Sequence, residues 1–69
     1  MKINLNNREE ILDTNKDIIT ITELFELKKF TFKNLVVKIN GQLIKRDEYA
    51  SATFKAGDKV DVIHMISGG

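Results

Sequence analysis

The last three residues of the sequence, Ser67-Gly68-Gly69, are of types and in a position to present a reactive carboxylate. A carboxylate is a poor electrophile. Joined to AMP as a mixed anhydride it becomes a good one, provided the reaction is enclosed in a site that excludes water. Glycines suit such a delivery because, lacking Cβ atoms, they thread narrow channels and adopt backbone angles closed to other residues. The acyl carbon of Gly69 stays open to an incoming nucleophile, Gly68 gives access to it, and the small side chain of Ser67 starts the reach earlier. An idle terminus has the same residues, so the pair means little apart from what precedes it.

No other group in the chain makes a rival chemical centre. His64 has no Ser, Cys or second His to work with, and is expected as a half-buried structural residue at a strand end. Asp47 and Glu48 are neighbours in an irregular segment, with no pocket to push their two pKa values apart as acid/base catalysis requires. No Gly-rich phosphate loop precedes a helix, and without cysteine a disulfide framework is excluded and a Cys/His zinc site is not expected. The chain is therefore not expected to be an enzyme, nor to bind a metal or cofactor itself.

Elements able to hold such a tail can be read upstream. In "KINL" the alternation puts Ile3 and Leu5 on one face, "NNRE" supplies turn chemistry, and Ile11 and Leu12 resume an apolar stretch. That is a β-hairpin around an Asn-rich turn, which fits a four-residue loop equally, so the residues do not set its register. The segment "TNKDIIT" is polar and expected as loop. Thr20 followed by Glu23 then fits a capping box, with Ile19 and Leu24 at the staple positions. Ile21, Leu24 and Phe25 form an apolar stripe that ends at Lys28 and is widened by Leu27, while Glu23 and Glu26 face water. This spacing predicts a helix of about two to three turns. Lys28, Lys29 and Lys33 read as its solvated, positively charged end.

"LVVKINGQLI" is strand, turn, strand: Leu35, Val37 and Ile39 share a face, and Asn40-Gly41 accepts the positive φ of a tight turn. "KRDEYASATF" is irregular, anchored by Tyr49 and Phe54, and Gly57-Asp58 turns the chain into the final strand "KVDVIHMI". The order β-β-α-β, irregular segment, β lets the first and last strands lie side by side in parallel through the helical crossover. That is an α+β, ubiquitin-like β-grasp fold, a mixed four- to five-stranded sheet with one main helix across it. Residues 1–66 form the domain and 67–69 the tail.

Composition agrees. Sixty-nine residues make one domain, of a size that buries only about 60% of the surface its unfolded chain exposes. Its core must come from the aliphatic residues in the 42% hydrophobic content. With 11 Lys+Arg against 10 Asp+Glu, the chain lacks the basic face of a nucleic-acid binder. No apolar run approaches the ~18 residues of a membrane span. A soluble, cytoplasmic protein is expected.

The last strand carries a second functional signal. Alternation puts Val60 and Val62 toward the core and Lys59, Asp61, Ile63 and Met65 on the wet face. Single exposed hydrophobes are ordinary and a bulge could reverse the register. Beside the tail, however, Ile63 and Met65 read as a partner-docking patch, and Met adapts to more than one partner surface.

"VVKINGQLIKRDEY" followed by "FKAGDKVDVIHMISGG" resembles the sulfur-carrier proteins of thiamin biosynthesis, the ThiS family. The resemblance lies in the order of Val36 to Gly41, Leu43-Ile44 with Arg46, Tyr49, Gly57-Asp58, Val60 to Ile66 and Gly68-Gly69, and extends through the helix "ITELFELKKF". It implies that an E1-like adenylyltransferase (ThiF type), using its own ATP and magnesium, activates Gly69. Sulfur from a persulfide donor would then give a C-terminal thiocarboxylate for thiazole synthase (ThiG type). A chain without cysteine fits, since no side-chain thiol competes to hold the sulfur. Departures from the family pattern are the longer polar stretch between Asn6 and Thr20 and a helix with no closing glycine.

Three other functions share parts of this pattern. The small subunit of molybdopterin synthase has the same fold and tail chemistry, but its relatives carry Pro before the tail and this chain has none. A ubiquitin-like modifier would have a similar tail. A β-grasp binding module would have an incidental one.

Overall fold

The computed structural model describes residues 1–30 and 34–65; Lys33, Ile66 and the tail residues Ser67, Gly68 and Gly69 lie outside them. β1 (Lys2–Leu5) and β2 (Arg8–Ile11) form the expected hairpin. Leu5 pairs with Arg8, so the turn is the two-residue form, with Asn6 and Asn7 both at positive φ (53° and 65°). Asn enters that left-handed region more readily than other residues with a side chain.

α1 (Ile21–Lys28) starts at Thr20 as its sequence requires. The Glu23 amide donates to Thr20 Oγ1 and the Thr20 amide donates to Glu23 Oε1, both at 3.1 Å, closing the capping box. Ile19 and Leu24 are both buried. In place of a closing glycine, Lys29 itself takes the left-handed conformation (φ 57°), and the Phe30 amide returns to Phe25 O. The buried stripe is narrower than expected: Ile21, Leu24 and Phe25 are enclosed, whereas Leu27 stays exposed at the rim. Lys28 ends the stripe by pairing with Glu10 of β2 at 2.6 Å, which ties the helix end to the sheet.

β4 (Leu35–Ile39) turns through Asn40-Gly41, both at positive φ, into β5 (Gln42–Ile44). β7 (Lys59–His64) completes the main sheet, whose order is β2-β1-β7-β4-β5. β1 and β7 are parallel, with Leu5 beside Val60. β7 is antiparallel to β4, from Ile39–Val60 to Leu35–His64. This is the expected β-grasp sheet in its five-stranded form.

The two segments expected as irregular contain more order than their composition suggested. β3 (Ile18–Thr20) pairs with β6 (Thr53–Lys55) as a separate two-stranded ladder, and Arg46–Glu48 makes a 3₁₀ turn. Each strand is three residues long with one buried side chain, Ile19 on β3 and Phe54 on β6, directly paired.

Ile3, Leu5, Val37, Ile39, Val60 and Val62 turn one face of the main sheet to the helix. Phe25 sits edge-on to Phe30 (centroids 6.0 Å apart) and to Tyr49 (5.3 Å), each such contact adding about 0.5–1.5 kcal/mol beyond area burial. Tyr49 and Phe54 are buried anchors, as their isolation among polar neighbours suggests. Among the described residues no helix is long and apolar enough to cross a membrane.

Candidate functional site: the outgoing end of the last strand

β7 lies third of five strands, so the residues before the tail emerge from the most supported part of the sheet. It alternates as far as Ile63. Val60 and Val62 are buried, while Ile63 and Met65 are about half exposed (47% and 53%). Ile63 stands opposite Val36 of β4, and the Met65 amide donates to Asn34 O at 2.7 Å, so the antiparallel ladder continues past the strand end.

The same register extends the apolar patch beyond the two residues expected from the last strand. Val36 is half-buried and, among the described residues, is not one of the hydrophobics packed against the core, and Leu43 of β5 is exposed. Lys38 pairs with Asp61 on one side and Leu43 on the other, so Leu43, Val36 and Ile63 share the face turned away from the helix. Pairing register was the missing signal: Leu43 can be put on this face only once Lys38 is known to lie opposite it. Lys38, Lys59 and Asp61 supply charge along the same face.

His64 corrects its expectation. It shares the parity of Val60 and Val62 but is exposed, because β7 has passed the edge of the core by that point. With Asn6, Phe30, Leu35 and Val62 it borders a shallow depression on the helix side of the sheet. No buried polar atom among the described side chains lacks a hydrogen-bond partner. Asp47 and Glu48 lie on the exposed 3₁₀ turn, where Glu48 Oε1 accepts from the Lys45 amide.

Two asparagines hold β7 from opposite sides. At its start, the Lys59 amide donates to Asn40 Oδ1 at 2.9 Å. Further along, the Val62 amide donates to Asn6 Oδ1 at 2.8 Å. Sequence reading assigned both asparagines to turns and missed this second use.

Comparison with known proteins accords with this geometry. No curated protein is matched by the sequence. A crystal structure of a thiamine biosynthesis protein (ThiS) from Geobacter metallireducens is similar, with a TM-score of 0.85, 26% identity and full coverage of both chains. A solution structure of a thiamine biosynthesis protein from the same organism gives 0.79 and 26%, covering all of this chain and 88% of that one. The ThiS family model matches residues 1–69. A β-grasp sheet whose central strand leads toward Gly68-Gly69, aligned with that model from the first residue to the last, places this chain in the ThiS family.

Proposed function

We propose that this chain is a sulfur carrier of thiamin biosynthesis, acting on the thiazole moiety as a substrate of partner enzymes rather than as a catalyst. The observation that carries the reading is the family match through Gly68-Gly69, on a fold whose central strand leads to those residues. The similar structures named as thiamine biosynthesis proteins support the pathway.

In this reading a carboxylate oxygen of Gly69 attacks the α-phosphate of ATP in an E1-like adenylyltransferase. Pyrophosphate leaves and an acyl-adenylate remains. A persulfide sulfur attacks the acyl carbon and displaces AMP, and a second thiol cleaves the resulting S–S bond to leave the thiocarboxylate. Thiazole synthase then takes the sulfur. ATP and magnesium belong to the activating enzyme, and the pathway is cytoplasmic. Ser67 and Gly68 let the chain end enter the covered site.

Ile63 and Met65, joined by Val36 and Leu43, form the face on which the activating enzyme docks. An apolar patch bordered toward the start of β7 by Lys38, Lys59 and Asp61 has the character of an interface centre with a polar edge. Incubation with the adenylyltransferase, ATP and a sulfur source should raise the intact mass by one oxygen-to-sulfur exchange, located at Gly69 by fragmentation. A mass unchanged under conditions that convert a known carrier would overturn the reading.

A further inference from the structure

β1 can support β7 only as far as its own turn allows. The parallel ladder runs from the Asn4 amide on Asp58 O (3.0 Å) to the Asn6 amide on Val60 O (2.9 Å). The next rung would need a carbonyl to receive the Val62 amide, but at Asn6 the backbone turns away into the left-handed region toward β2. The side-chain Oδ1 of Asn6 takes the place of that carbonyl at 2.8 Å. One residue thus turns the hairpin and adds a rung to its neighbour.

The sheet contains a matched internal comparison. Asn40 also begins a two-residue hairpin turn at positive φ (50°), and its Oδ1 also receives a β7 amide, that of Lys59. The two bonds have nearly the same length and chemistry. They differ in where they act: Asn40 latches the start of β7, and Asn6 latches the half that leads to the tail. Beyond Val62 the described hydrogen bonding of β7 comes from the β4 side, ending with Met65 on Asn34.

We propose that Asn6 is a positioning residue for delivery of the C-terminal carboxylate, aligning the outgoing half of β7 and with it the direction in which the chain leaves the domain. The inference rests on the sulfur-carrier reading and deepens it. With Asn6 the two-sided support of β7 reaches Val62, and without it that support stops at Val60. The shorter the stretch held from β4 alone, the more narrowly the outgoing residues are aimed, and a small misplacement of a reacting group lowers the rate steeply. Asn6 touches neither partner nor reacting atom in this account; it acts through Val62.

The test compares Asn6→Gly, Asn40→Gly and Asn6→Asp. Glycine keeps the positive φ of either turn and removes only the latch. Aspartate keeps an acceptor oxygen in the same place. Adenylation is followed as pyrophosphate release by the cognate adenylyltransferase, well below each variant's Tm, with amide exchange of Val62 through Met65 followed by NMR. For Asn6→Gly, kcat should fall about tenfold with KM within about twofold, because the docking face is intact and only aim is lost. Val62 to Met65 amides should exchange faster. Asn40→Gly should lose similar stability with kcat unchanged, and Asn6→Asp should restore kcat.

An equal fall in kcat for both glycine variants, or an unchanged kcat in Asn6→Gly, would overturn the proposal. A wild-type chain that is never adenylated overturns the sulfur-carrier reading instead. The latch is then judged by exchange alone: faster Val62–Met65 exchange confined to Asn6→Gly supports it, and unchanged exchange refutes it.

Discussion

Ile63 of β7 stands directly opposite Val36 of β4, on the face of the sheet turned away from the helix. Cross-strand neighbours of this kind normally stabilise a sheet by shielding each other, yet Ile63 remains about half exposed. Ile63→Asp should therefore cost about 1–2 kcal/mol of stability, from lost strand propensity and the lost pair with Val36, leaving the domain folded while raising the KM for adenylation at least about tenfold. Thermal unfolding and pyrophosphate release measure the two effects separately. A large loss of stability with normal KM would make the patch structural.

Gly68 offers a different dissection of the same reaction. If access through a narrow channel matters, Gly68→Ile should cut adenylation by about tenfold or more while leaving Tm unchanged. Normal conversion by that variant would mean the tail is not threaded.

The helix start is supported by two reciprocal hydrogen bonds, and Thr20→Ala removes the hydroxyl that receives the Glu23 amide. A stability loss of about 1 kcal/mol is expected from urea unfolding. In a domain this small that loss shifts Tm by several degrees.

Glu23 also makes stability depend on pH. Its carboxyl is held below its ordinary value of 4.5, first by the hydrogen bond from Lys16 and then by the Thr20 amide. A lowered folded-state pKa means that the charged form is favoured on folding, so the contribution is complete above about 4.5 and fades as pH falls through the depressed value. Glu23→Gln keeps an acceptor for the Thr20 amide but cannot ionise. Its unfolding midpoint should be lower than wild type at neutral pH, with the gap closing on acidification. A gap independent of pH would exclude the carboxylate as its source.

Phe25 is fully enclosed and meets both Phe30 and Tyr49. Phe25→Ala should cost about 3–5 kcal/mol, comparable with the whole stability of a small domain. Loss of dispersed NMR signals at room temperature is the expected outcome, and a folded spectrum would contradict the packing.

Several of these features were legible in the sequence because each depends on neighbours along the chain. The capping box needs only Thr20 and Glu23, the second hairpin only Asn40-Gly41, and the faces of β7 only alternation. Parallel pairing of the first and last strands followed from a single helical crossover between them. What escaped depends on partners far away in sequence. β3 and β6 are too short to show a period, and become strands by burying Ile19 against Phe54. Leu27 and His64 continue the apolar or inward parity of their elements, yet stay exposed because the core stops short of them. The second role of Asn6 joins residues 56 positions apart, which no local pattern encodes.

The central place of β7 also governs how the molecule comes into being. Neither β1 nor β4 reaches its inner neighbour until β7 has been synthesised, so the first hairpin waits, edge open, for almost the whole chain and the second from Ile44 to Lys59. Folding dominated by such distant closures is slow and exposes sticky intermediates. A chain interrupted before Lys59 would hold two hairpins and no keystone to join them.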